Sequence, residues 1–404
     1  MTILLCGILL LAAPDPKQDP KSAPDFIDVV QANFARWDLN HNGALSPEEV
    51  DRCVVEQSIK GDEAAAIGAI KTMLRMGYFV PPLTLEYFQT AAPKPKKAKE
   101  SETAERSEVR MFGGPNWNKG FEVARKRIAD PNRDLFRSSV VDLKQFKQGA
   151  LGDCYFVSMI GALVNKQHDA VKRMITVQRN GDLKVAFADN ETIVIPPLTD
   201  AEIATSSTTG EEGTWVAVFE KAFGTLRQAQ FPEDHKEGVA TDAIAFGGTM
   251  LTTIRVLTGH DSEEFAIKSS VQKSGNGEYK FQLRAQPQEL ARMTREKLKA
   301  AIQKKKLVGA GTYPEDLPPG IPDRHAYAII GYEAQGDQVV IWNPHGNTFK
   351  PKGAPGLANG YPTEFGVFKV PMKDFVNIFG TLEIELDVSA TTTGVRSGKT
   401  SGGK

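Results

Sequence analysis

Apolar residues recur along this chain with two different periods, and the order of those periods lays out a mixture of helices and strands. Phe156, Met159, Ile160 and Leu163 stand at the i, i+3, i+4, i+7 spacing of a helix with one face in a core, which predicts a helix from Cys154 to Lys166. Thr214 to Leu226 and Gln288 to Lys304 also read as helices. Short runs of β-branched, aromatic and apolar residues follow a different rule: Leu183 to Ala188, Thr192 to Pro196, Ala326 to Tyr332, Val339 to Trp342, Gly366 to Val370 and Leu382 to Leu386 read as strands. The polar turn Ala334-Gln-Gly-Asp337 separates Ala326–Glu333 from Gln338–Trp342 and predicts a hairpin. The class is α+β.

At 404 residues, 41% of them hydrophobic and 25% charged, the chain can bury one substantial core and a small second domain. Lys and Arg number 49 against 50 Asp and Glu, a formal net charge of −1, which gives no global electrostatic case for binding nucleic acid. Residues 2–13 form an apolar run too short to span a bilayer, ending in small residues ahead of Pro14-Asp15, and read as a signal peptide that lacks a basic leader. The expected address is therefore exported or secreted, or cytoplasmic if the run is not a signal. No integral membrane contact is expected unless that run is retained. Cys6 would leave with the signal, and Cys53 with Cys154 implies no disulfide framework.

Cys154 opens the predicted helix, behind Gly149 and Gly152, which let the chain turn tightly. A cysteine in a helix's first turn faces unpaired N–H groups and the positive end of the dipole, which favour the thiolate. A lone cysteine on an apolar helix is more often a small buried hydrophobe, so the rest of the sequence has to decide. The midpoint of positions 325 and 343 is residue 334, at the predicted turn, so His325 and Asn343 fall at the same open end of one hairpin. A Cys/His/Asn arrangement needs that proximity, since the amide fixes the imidazole that exchanges a proton with the thiol. Gln148, six residues before Cys154, is the candidate oxyanion donor.

Gln148-Gly-Ala-Leu-Gly-Asp-Cys154, Arg324-His325-Ala-Tyr and Asn343-Pro resemble, in order, the three catalytic blocks of the calpain-type, papain-like cysteine proteases. Thr214 to Phe223, Ala245 to Thr249 and Phe365 to Phe375 resemble intermediate stretches of the same family, and the resemblance covers about residues 110 to 390. It implies a two-lobed fold, with a helical lobe carrying Cys154, an antiparallel β lobe carrying His325 and Asn343, and a cleft between them. It further implies a cysteine endopeptidase acting on protein or peptide substrates, with the Gly247-Gly248 stretch lining the cleft. The chain departs from the pattern at Tyr155 and His345, where the family usually has Trp, and the indole missing at 345 normally shields the histidine and asparagine from water. Gln145 stands where a core calcium site expects a carboxylate, and Glu364 is the only acidic residue between Asn343 and Phe368, so neither core calcium site is expected to persist.

Calcium has a second candidate site. Asp38, Asn40, Asn42, Ala44, Ser46 and Glu49 match an EF-hand loop: oxygen side chains at positions 1, 3, 5 and 9, a backbone carbonyl at 7, Gly43 at 6 and glutamate at 12. Ser46 would equally well cap the helix that follows. Ala64 to Met76, Gly77 to Pro82 and Leu85 to Phe88 outline a second hand without ligands. The expected organisation is a signal candidate at 1–13, a spacer at 14–24, an EF-hand module at 25–90, a charged Pro/Lys/Glu linker at 91–109, the protease core at 110–390 and a polar tail at 391–404. Two alternative readings stay open: a calpain-like protein with weak or no catalysis that binds partners in response to calcium, and an acyl transferase of transglutaminase type.

Overall fold

Two helix–strand–helix units open the folded part of the computed structural model, which describes residues 24–75, 82–90, 116–129, 133–138, 140–230, 238–272 and 279–389. The signal candidate, the spacer apart from Pro24, residues 77–81, the charged linker and residues 391–404 lie outside the described residues. Helix α1 (Phe26–Trp37) starts at a reciprocal cap between Asp25 and Asp28, and α2 (Pro47–Val55) at another between Ser46 and Glu49. Between them β1 (Ala44–Leu45) pairs antiparallel with β2 (Leu83–Thr84), which joins α3 (Gly61–Arg75) to α4 (Leu85–Thr90). Helix α5 (Trp117–Ile128) belongs to the same apolar cluster: Trp117 stacks on Phe26 at 5.3 Å and meets Phe88 edge-on at 5.2 Å. Trp117, Phe121, Ala124 and Ile128 form one helical stripe, and that stripe draws α5 to the N-terminal helices although it follows the linker in sequence.

The next elements are α6 (Cys154–Lys166), α7 (Ala170–Met174), the small sheet of β3 (Ile175–Val177), β4 (Leu183–Ala186) and β5 (Thr192–Ile195), then α8 (Asp200–Thr205), α9 (Trp215–Gln230) and α10 (Met250–Thr258). The period of α6 predicts one buried face. In the structure every residue from Tyr155 to Val164 is buried, because α6 runs centrally in the fold. Phe156 stacks on Phe223 of α9 at 4.3 Å on one side. On the other, Gly161 lies so close to Trp342 that a Cβ there would sit 2.2 Å from the indole. Trp215 is fully buried, as core rather than surface.

The remaining chain builds a seven-stranded antiparallel sheet with a helical face. Its elements are β6 (His260–Ala266), β7 (Lys268–Gln272), β8 (Tyr279–Leu283), α11 (Pro287–Gln303), β9 (Val308–Gly311), β10 (Ala326–Glu333), β11 (Gln338–Trp342), β12 (Thr363–Glu364), β13 (Val367–Pro371), α12 (Met372–Ile378) and β14 (Thr381–Ser389). The strand order is β12-β13-β11-β10-β9-β14-β6, and β7 pairs with β8 alone. The β10–β11 hairpin turns at 334–337 as its pattern predicts, pairing Glu333 with Gln338 and Ala328 with Trp342. Strand β6 has no apolar alternation to announce it. Its residues His260 to Phe265 are mostly charged or polar, and it lies half-exposed as the edge strand against β14. Helices α11 and α12 cover one side of the sheet, and α6 packs on β10. Among the described residues no helix is long and apolar enough to cross a membrane.

Candidate active site

Cys154 is the first residue of α6, with fully buried Asp153 at the N-cap position. Its side chain is partly buried, and desolvation pushes the thiol up to about 11, against the smaller opposing effect of the Ala326 backbone. Helix-end stabilisation of a thiolate, expected from the sequence, is thus outweighed by desolvation. The Ala326 contact also sets the helix start beside the start of β10, one residue after His325.

His325 and Asn343 bracket the hairpin, are 7% and 1% exposed, and are joined by a 2.9 Å bond between Nε2 and Oδ1. The orientation of the amide follows from its other bonds. Asn343 Nδ2 donates to Asn347 Oδ1 at 3.1 Å, and the His345 N–H, which can only donate, reaches Asn343 Oδ1 at 3.0 Å. Oδ1 therefore faces the imidazole, Nε2 must carry its hydrogen, and Nδ1 keeps the basic lone pair. His345 lies over His325 with ring centroids 4.2 Å apart, and Tyr327 meets it edge-on at 4.8 Å. The cover expected to be lost with the indole is thus supplied by a second imidazole. Burial, followed by His345, holds His325 well below 6.5, with the Asn343 bond acting the other way.

Gln148 is tied to both halves of the site. Its backbone N–H donates to Pro344 O at 2.8 Å, next to Asn343. Its side-chain Nε2 donates to Leu151 O at 2.9 Å and to Asp153 Oδ1 at 3.1 Å. Both amide hydrogens are thereby engaged within the loop that leads to Cys154. Asp153 itself is pushed well above the usual carboxylate range, by burial and then by the adjacent Glu220. Glu220 accepts from the Ser207 N–H at 2.9 and 3.1 Å and is also completely buried. Burial raises both carboxyl groups, Asp153 the more strongly, so Asp153 is the one of the pair that favours its neutral form. Glu220 is a site neighbour that the sequence reading passes over. The signal available was a Glu-Lys pair inside the otherwise apolar α9.

The loop from Asp38 to Glu49 folds its oxygen atoms inward. Asp38 accepts from the N–H groups of Asn42 (3.1 Å) and Gly43 (2.9 Å), and Glu49 from those of Asn40 (3.1 Å) and Ser46 (2.8 Å). Asp38 and Glu49 are each 5% exposed, and Gly43 takes the φ of +83° that the turn requires. Two carboxylates, neutral side-chain oxygens and the Ala44 carbonyl are a donor set that fits a hard divalent cation such as calcium. Among the described residues no group of three or more His, Cys, Asp or Glu converges as a metal site, in keeping with a loop whose other donors are neutral. Of the histidines without a role here, His168 contacts Val141 O and His260 contacts Glu385 at 2.7 Å, while His235 lies outside the described residues.

A cysteine at a helix start whose neighbour is the Ala326 backbone, with His325 held by Asn343 one residue before it, is an arrangement compatible with cysteine-protease chemistry. The family model described as calpain family cysteine protease matches residues 98–354, more than half of the chain, and the chain belongs to that family. No curated protein matches it. The matched span contains Gln148, Cys154, His325 and Asn343 and leaves out the helices of residues 26–90.

Proposed function

We propose that the protein is a calpain-like cysteine endopeptidase that hydrolyses protein or peptide substrates in a cleft between a helical lobe bearing Cys154 and a β lobe bearing His325 and Asn343. The observation that carries the reading is the bond from His325 Nε2 to Asn343 Oδ1, which leaves Nδ1 as the basic nitrogen of a residue adjoining Ala326, whose backbone meets Cys154. Nδ1 takes the proton from Cys154 Sγ as the sulfur bonds to the substrate carbonyl carbon. The Cys154 backbone N–H and Gln148 Nε2 hold the oxyanion, the amide exchanging one of its two present acceptors for the substrate oxygen. His325 then passes the proton to the departing amine, the thioester remains, and a water deprotonated by Nδ1 hydrolyses it to regenerate the thiol.

The loop of Asp38, Asn40, Asn42, Ala44, Ser46 and Glu49 is read as an EF-hand that binds calcium and modulates the enzyme. Its support is the donor set together with the β1–β2 pairing, which joins the loop to a second helix pair as hands are joined. The neutral, partly buried thiol favours one second reading, a calpain-like protein with weak catalysis that serves as a calcium-dependent binding partner. The test is cleavage of an unfolded protein by the full chain under reducing conditions, with and without calcium, beside Cys154→Ala. Cleavage lost in Cys154→Ala supports the protease. No cleavage by folded, reduced protein in either condition sinks it in favour of the binding reading.

A further inference from the structure

Residues Phe246 to Thr249 are exposed beside the nucleophile loop and form one bank of the site. Gly152 donates to Ala245 O at 2.9 Å, and Gly247 donates to Gly152 O at 3.0 Å, two residues before Cys154. Phe246 stands 72% exposed on this bank. The bank hangs from the short turn Ala240–Ile244: Ala245 N–H donates to Asp242 O at 3.2 Å, and Asp242 Oδ2 accepts from Val239 N–H at 2.9 Å. Asp242 is in turn held from the far side by cations of α3. Lys71 Nζ lies 2.7 Å from Oδ2, Arg75 Nε lies 2.7 Å from Oδ1, and Arg75 Nη2 donates to Thr241 Oγ1 at 2.7 Å.

We propose that Lys71 and Arg75 are positioning residues for the active site, contributed by the N-terminal helices to hold the Ala245–Thr249 bank against the nucleophile loop. The inference rests on the protease reading and adds to it a function for residues outside the matched family span. Both cations are buried, at 5% and 7% exposure, a costly location that a surface contact between modules does not require. Lys71 also bonds Asp51 on α2, the helix whose first turn carries Glu49 of the candidate calcium loop. Helix α2 therefore links the loop to Asp51, and polar contacts continue from Asp51 through Lys71 and Asp242 to the bank and Gly152. The bank is where an extended peptide would lie, so displacing it weakens recognition of the peptide and leaves the thiol's own reactivity alone.

The experiment compares inactivation of Cys154 in the full chain by two reagents, iodoacetamide and a peptidyl chloromethyl ketone, together with the thermal midpoint. In Lys71→Met the peptidyl reagent should slow about tenfold, as for a small misplacement of a binding surface, with the iodoacetamide rate unchanged and Lys71→Arg restoring the wild-type ratio. Arg75→Lys, a milder change that keeps the charge and loses the Thr241 contact, should lower the ratio in the same direction. An unchanged ratio in both variants, or a parallel fall of both rates with the midpoint, overturns the proposal in favour of plain structural support. A wild-type protein with no preference for the peptidyl reagent overturns the protease reading, and this inference with it.

Discussion

The imidazole of His345 lies on that of His325 with centroids 4.2 Å apart and planes tilted by 33°, so the proposed general base is roofed by a second titratable ring. The arrangement has an electrostatic consequence that an indole roof lacks. A proton on His345 opposes a proton on His325, whose affinity for protons burial has already lowered.

The proposed mechanism requires neutral His325, so the acid limb of the pH profile should fall below pH 6.5, where His325 takes up its proton. His345→Trp removes one cause of the lowering and should move that limb to higher pH. The measurement is the pH dependence of Cys154 inactivation by the peptidyl reagent. An acid limb at the same pH in both proteins would show that His345 has no electrostatic part.

The free thiol makes a separate prediction. Because burial pushes Cys154 up to about 11, its alkylation by iodoacetamide should climb about tenfold per pH unit through the mildly alkaline range, following the thiolate fraction. A rate already on a plateau at pH 7 would instead indicate a resident thiolate–imidazolium pair. The same measurement with substrate-like peptide aldehyde present tests whether the aldehyde protects the thiol.

Stability should carry its own pH signature at Glu383. This carboxyl on β14 is 7% exposed, accepts from Thr381 Oγ1 at 2.9 Å, and is pushed up to about 8 by burial, with Glu264 adding to the rise. The folded state therefore binds this proton more tightly than the unfolded chain does. Its contribution is intact below about 4.5 and is lost as pH rises through about 8, with a slope of up to about 1.4 kcal/mol per pH unit between them. Glu383→Gln should flatten that part of a urea-denaturation profile, and a wild-type profile with no decline from pH 5 to 8 would contradict the assignment.

Calcium should raise the thermal midpoint if the Asp38–Glu49 loop binds it, because a ligand of the native state alone stabilises by mass action. Glu49→Gln removes one of the two carboxylates in the proposed donor set and should abolish most of the rise. A calcium-induced shift that survives Glu49→Gln would move the binding elsewhere in the molecule.

What was legible in the sequence was local or symmetric. The hairpin turn lies at the midpoint of positions 325 and 343, and the folded hairpin brings His325 and Asn343 into contact. The start of α6 at Cys154 follows from the apolar period behind it. The hidden parts depend on partners far away in sequence. Lys71 and Asp242 are 171 residues apart, and nothing near either residue announces the other. The amide of Gln148 satisfies Leu151 and Asp153 because the loop folds back on itself, which the glycines permit without specifying. Glu220 looks like a surface charge until the fold surrounds it, and its part in the site only has meaning beside Asp153.

The apolar cluster of the N-terminal helices bears on how the molecule fails. Its members include Trp117 and Phe121 of α5, Ala201 and Ala204 of α8, and Val239, all of them residues of the matched family span. Removing residues 24–90 would uncover that surface and strand the carboxylate of Asp242 without its cations. The matched family span begins after these helices, but the hydrophobic core does not divide there, so the two parts should melt as one cooperative unit and loss of the N-terminal helices should be felt first as unfolding.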